Sequence, residues 1–86
     1  MKVINTNFEG LKIVQQKKHS DSRGNLRETF RKKIISWDNL IFDYATTSKK
    51  NVVRGFHFQS KFKQAKFVSV LKGKILDCVI DLRKNS

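Results

Sequence analysis

Apolar residues in this chain fall in short runs, several of them alternating with polar ones, and the runs are separated by Gly, Asn or clusters of Lys and Ser. Leu11 to Gln15 (LKIVQ) predicts a short first strand. Leu26, Glu28 and Phe30 alternate with Arg27 and Thr29, the pattern of a half-buried strand. Between these two, Lys17 to Gly24 (KKHSDSRG) predicts a loop with Asp21-Ser22 and Arg23-Gly24 as turn chemistry. Ile41 to Ser48, Val52 to Gln59 (VVRGFHFQ), Lys66 to Lys72 (KFVSVLK) and Lys74 to Arg83 (KILDCVIDLR) predict further strands. Lys49-Lys50-Asn51 predicts a tight turn, Ser60 to Gln64 a polar connection, and Gly73 a turn. Arg31 to Leu40 has no clean period and has room for one helical turn, with Ser36 or Asp38 as cap. Short strands with turn signals every ~8–12 residues predict an all-β antiparallel sandwich or barrel.

With 86 residues the chain predicts a single small domain, 1–86, of thin stability margin. Its most hydrophobic strand is followed at once by Lys84-Asn85-Ser86. A sheet ending there exposes backbone at its edge, so the sequence predicts a covering partner, a second copy in a dimer being the simplest, or a longer polypeptide. Cys78 is the single cysteine, which excludes an internal disulfide and predicts a small buried hydrophobe. There is no secretory signal pattern, and no apolar run approaches the ~20 residues a membrane-spanning helix needs. A cytoplasmic setting is the expectation.

Charge widens the field of partners. The net charge of +12 attracts nucleic acid, anionic membrane or phosphorylated small molecules, or serves solubility alone.

Two constellations narrow it. In an extended Val53-Arg54-Gly55-Phe56-His57-Phe58-Gln59, Arg54, Phe56 and Phe58 share one face, and Val53, Gly55, His57 and Gln59 the other. Lys66 opens the next predicted strand nine residues after His57. A His and a Lys converging in a barrel make an acid-base site: imidazole takes a proton near neutral pH and ammonium stabilises an oxyanion. The plain alternatives are a core histidine bonded to a backbone carbonyl, and solvated charge at Arg54 and Lys66. The second constellation is Asp21-x-Arg23-Gly24-x-x-x-Glu28-x-Phe30, where Gly24 permits a sharp turn and Arg23 carries a fork suited to phosphate. A charged hairpin tip is its plain alternative.

Both constellations occur together and in order, and that order resembles one family. Asp21 to Phe30 resembles the "D-x-R-G-x-x-x-E-x-F" stretch of dTDP-4-dehydrorhamnose 3,5-epimerases. Ser48 to Gln59 is similar to "S-x-K-G-V-L-R-G-L-H-Y-Q", Gln64 to Val68 to "Q-x-K-L-V", and Gly73 to Arg83 to "G-x-(V/I)-x-D-V-x-V-D-(I/L)-R". The resemblance covers essentially the whole chain, and it is to the first half of the family's sequence. It implies a partial cupin-like jelly roll, completed by oligomerisation. The implied substrate is a nucleotide-linked 4-keto-6-deoxy sugar (dTDP-4-keto-6-deoxyhexose), epimerised by proton removal beside the ketone without a cofactor. Cell-surface polysaccharide synthesis, through dTDP-rhamnose, is the implied setting.

On this resemblance His57 matches the general base and Lys66 the cation for the enolate oxygen. Arg23 and Arg54 match residues that hold diphosphate and sugar, Glu28 matches a substrate-binding carboxylate, and Gln59 closes the motif as a further binding residue. No metal is implied: metal-binding cupins show His-x-His, whereas here the run is His57-Phe58-Gln59, and His19 has no evident partner. The chain departs from the pattern in two local ways. Phe42-Asp43-Tyr44 stands where the family shows "Q-x-N", and the His57–Lys66 connection is one residue shorter. The family's later half supplies a tyrosine acid and an aspartate that orients the histidine, and neither has a match here.

Three readings remain open. The chain is an epimerase completed by further polypeptide, a non-catalytic cupin-like module that binds nucleotide sugar or pairs with a homologue, or a small basic β-protein for nucleic acid. The family match explains Phe56, Phe58 and Phe67 as barrel residues, which weakens the third.

Overall fold

Local pairing sets the ordered part of this chain. The computed structural model describes residues 1–34 and 40–84, and holds four strands: β1 (Lys2–Asn5), β2 (Lys12–Gln15), β3 (Lys18–Asp21) and β4 (Gly24–Arg27). Both sheets are antiparallel pairs, β1 with β2 and β3 with β4. All regular structure among the described residues is β. The all-β antiparallel class expected from the pattern is therefore the class observed.

The first hairpin pairs like with like, Val3 opposite Val14 and Ile4 opposite Ile13. Its loop closes through Thr6: the hydroxyl accepts from the Phe8 N–H at 3.2 Å and donates to the Leu11 carbonyl at 2.7 Å. The pattern did not predict β1, because only Val3 and Ile4 mark it. Four residues are too short to show a period.

The second hairpin corrects two expectations. Residues 18–21 form β3 rather than loop, pairing Asp21 with Gly24 across a turn at Ser22-Arg23. All four residues of β3 are polar and exposed, so apolar alternation could not reveal it. The turn drives the pairing instead: Asp21 Oδ1 accepts from the Arg23 N–H at 2.8 Å, and Gly24 absorbs the twist with φ of +138°. Leu26, expected to be half-buried, is 65% exposed.

Beyond β4 the chain makes a single turn at 31–34, with the Ile34 N–H donating to the Arg31 carbonyl at 3.0 Å. The expected caps Ser36 and Asp38 lie outside the described residues. The turn at Lys49-Lys50-Asn51 is as expected, closed by Val52 N–H to Lys49 carbonyl at 3.3 Å, with Asn51 at φ of +66°. Asn tolerates that left-handed conformation, whereas a β-branched residue pays roughly 1–2 kcal/mol to adopt it. Asn51→Val is accordingly expected to open the turn, and Asn51→Gly to leave it intact. Solvent exchange of the Val52 amide reads the difference.

The segments 41–48, 52–59, 66–72 and 74–83, expected as strands, form no ladder in the structure. The last of them carries apolar residues on both faces, with Leu76, Ile80 and Leu82 opposing Ile75 and Val79, and 52–59 puts Val52, Phe56 and Phe58 on one face. A strand apolar on both faces needs cover on both sides. Val53 and Leu76 are each 90% exposed, and Cys78 is exposed rather than buried.

Long-range ties among the described residues hold these segments to the hairpins. Arg27 donates to the carbonyls of Val70 and Leu71 at 2.7 and 3.1 Å, and Arg83 donates to the Glu9 carbonyl at 2.8 Å. The Phe30 and Phe67 rings meet edge to face at 6.5 Å. The radius of gyration is 15.3 Å, against about 12 Å for a compact domain of this length.

Candidate functional site

The best-defined part of the candidate site is the loop that carries Arg54. The turn at Lys49–Val52 folds the chain back, so Arg54 Nε reaches Ser48 Oγ at 2.9 Å and Nη2 reaches the Thr47 carbonyl at 3.2 Å. Two fixed acceptors hold the guanidinium on one side of the turn and leave its remaining donors for a ligand. Ser48 and Thr47 were not singled out from sequence. The signal for Ser48 was present, since it opens the same motif that contains Arg54-Gly55 and ends at Gln59.

Gly55 follows with φ of +100°. A Cβ added there would stand 3.4 Å from the His57 backbone nitrogen and 3.8 Å from its Nδ1. The imidazole therefore folds back toward the glycine, and it is the positive φ rather than lack of space that favours glycine at position 55. His57, Gln59 and Lys66 are all exposed. Among the described residues no hydrogen bond joins His57 to Lys66.

Arg23 and Glu28 sit on and after the second hairpin, each held by a neighbour in sequence. Arg23 grips Asp21 through Nη2 at 2.7 Å and Nε at 3.3 Å, while its side chain stays open to solvent. Glu28 takes both its oxygens to Arg31, with Nε of that arginine at 2.6 Å and Nη2 on the other oxygen. Arg31 was also missed from sequence, although an acidic residue three before a basic one is a recognisable pair once the chain turns. The Arg27 bonds and the Phe30–Phe67 contact bring this hairpin's exit beside the segment that Lys66 opens.

The arginine pairings act on the carboxylates. The Arg23 guanidinium and backbone N–H hold Asp21 below the ordinary aspartate range, and the Arg31 guanidinium does the same to Glu28. A carboxyl depressed in the folded state favours that state above its unfolded pKa, and the gain disappears as pH falls through the folded value. Acidification is therefore expected to loosen the Ser22-Arg23 turn only below the midpoint of an unpaired aspartate. An NMR titration of the Arg23 amide checks this, and Arg23→Ala should move the midpoint up.

Phe42 and Tyr44, the residues that depart from the family pattern, stack on each other with ring centroids 6.0 Å apart and planes 23° from parallel. In an extended backbone residues two apart share a side, which brings the rings together. Among the described residues no three His, Cys, Asp or Glu side chains cluster as a metal site, and no helix is long and apolar enough to cross a membrane.

The chain is antiparallel all-β among its described residues and presents arginine, histidine and lysine in the order of its motifs. The family profile described as dTDP-4-dehydrorhamnose 3,5-epimerase matches residues 5–86. The chain belongs to that family. It is 38% identical over 87 residues to a dTDP-4-dehydrorhamnose 3,5-epimerase of Methanothermobacter thermautotrophicus, covering 96% of this chain and 47% of the relative. It is 34% identical over 92 residues to the enzyme of that name from Escherichia coli, covering 100% of this chain and 50% of the relative. A Neisseria gonorrhoeae protein of the same name is 32% identical over 90 residues, covering 100% of this chain and 27% of the relative. The chain thus spans about half the length of the first and second of these, and less of the third. No solved structure matches.

Proposed function

We propose that this chain is the base-bearing part of a sugar-nucleotide 3,5-epimerase acting on a dTDP-linked 4-keto-6-deoxyhexose. The observation that carries the reading is the ordered run Arg54-Gly55-Phe56-His57-Phe58-Gln59 followed by Lys66, inside a family match over residues 5–86. His57 takes the proton from the carbon beside the ketone, and the electron pair moves onto the ketone oxygen. The Lys66 ammonium stabilises that enolate oxygen, so the ketone is the electron sink and no cofactor enters. Arg54, fixed by Ser48 and Thr47, and Arg23, once it turns from Asp21, hold the diphosphate by charge-assisted forks. Glu28 and Gln59 bind the sugar or nucleotide. Residues 1–86 act as one partial cupin-like domain in the cytoplasm, in dTDP-rhamnose synthesis, and a second copy or a longer homologous chain completes it.

A second reading is supported by Tyr44, the single tyrosine, which stacks on Phe42 away from the histidine motif in sequence. Without an opposing acid, the chain is a non-catalytic module that binds the nucleotide sugar. One experiment separates the readings. In D2O, NMR follows loss of the C3 and C5 proton signals of the keto sugar and appearance of the epimer. Exchange together with epimer supports the first reading. Binding with neither exchange nor epimer supports a module without catalysis, and absence of binding contradicts both.

A further inference from the structure

Phe42 and Tyr44 stack on each other and still present 65% and 71% of their surface to solvent. Among the described residues theirs is a near-parallel ring pair, whereas Phe30 and Phe67 meet edge to face. Edge-to-face rings leave no common flat surface. Planes only 23° apart do, and the outer face of each ring is free to take a third flat group. Both positions depart from the polar pattern of the family, so the pair is a feature of this chain.

Charge within reach of the rings selects the group that stacks there. Arg54 donates to the Thr47 carbonyl at 3.2 Å and to Ser48 Oγ at 2.9 Å. Thr47 lies three residues after Tyr44, so the backbone between them spans at most about 10–11 Å. Lys49 and Lys50, both exposed, follow at once. A tethered guanidinium suits a phosphate, and a flat aromatic face suits a base. The two lie one short segment apart, as the two ends of a nucleotide do. A nucleic-acid strand would ask for successive platforms along a basic groove, whereas residues 41–48 offer a single pair of rings.

We propose that Phe42 and Tyr44 form the nucleobase platform of this chain, stacking the base while Arg54 holds the diphosphate. This rests on the epimerase reading and deepens it, since it names how the nucleotide end of the substrate is recognised. Stacking reads the face of a base and not its hydrogen-bonding edge, so dTDP, UDP and ADP should bind within about tenfold of one another. NMR titration of the 86-residue chain with these three nucleotides and with base-free pyrophosphate tests the proposal, beside the double variant Phe42→Leu/Tyr44→Leu. The expected result is an upfield ring-current shift of the base protons. The variant should bind all three nucleotides about 5- to 100-fold more weakly and pyrophosphate as before. Both rings are exposed, so leucine leaves no cavity, and the β1–β2 and β3–β4 hairpin signals control for the fold. Equal nucleotide binding by the two chains overturns the proposal, as does an equal loss of pyrophosphate or no binding of any nucleotide. A thymidine oligonucleotide bound far more tightly than dTDP, with steep salt dependence, overturns it in favour of a nucleic-acid surface. The titration involves no turnover. Stacked nucleotide without proton exchange on the keto sugar would leave the platform standing and sink the catalytic reading, whereas exchange with equal binding by both chains would sink the platform alone.

Discussion

Replacing His57 by alanine is expected to slow deuterium exchange at C3 and C5 of the keto sugar by about 10²–10⁴-fold, the usual worth of a positioned general base. The imidazole is exposed and lies back toward Gly55, so its removal leaves no cavity and disturbs no hydrogen bond that the structure shows. The loss should therefore appear in the exchange rate and leave nucleotide-sugar affinity nearly unchanged. Equal exchange by the wild-type and His57→Ala chains would show that the histidine is not the base. A loss of affinity matching the loss of rate would make it a binding residue only.

Lys66→Met is expected to slow the same exchange by about 10²–10³-fold, the scale on which one oxyanion donor acts. Methionine keeps much of the length and flexibility of the side chain and removes the ammonium, which isolates the charge. Lys66→Arg should recover part of the rate, because a guanidinium retains the positive charge but differs in shape and hydration. Because Phe67 packs against Phe30 next door, a fold control is needed, and the β3–β4 hairpin signals supply it. Full recovery by arginine with no loss in methionine would contradict a role for the charge.

What the sequence reveals about this chain depends on how local the governing interaction is. The turn at Lys49–Val52 was legible because Asn51 can adopt positive φ and the residues before it are polar. The Asp21–Gly24 turn was legible for the same kind of reason, but its strand β3 was not, since residues 18–21 have no apolar side. At the other extreme, 52–59 and 74–83 carry strong β composition and still form no ladder. Composition states a preference for a pleated, covered surface, and pairing needs neighbours on both faces.

The candidate site divides in the same way. The residues themselves were legible through the resemblance, because the motif keeps their order and spacing. The hydrogen bonds that hold them were not: Arg54 on Ser48 and Thr47, Arg23 on Asp21, Glu28 on Arg31. Each of these is one pairing among many that the donors of 19 Lys and Arg could make, and only geometry makes the choice. Arg27, overlooked in sequence as one more cation, proves to tie the hairpin to residues 70 and 71.

At the centre of the account stand one imidazole and one ammonium acting on a single enolising sugar. The exchange rate of a His57→Ala/Lys66→Met chain, set beside both single variants, tests this most directly. The prediction is a double variant no slower than His57→Ala alone, because without proton removal there is no oxyanion for the ammonium to stabilise. Two losses that multiply in full would place the groups at separate tasks and contradict it.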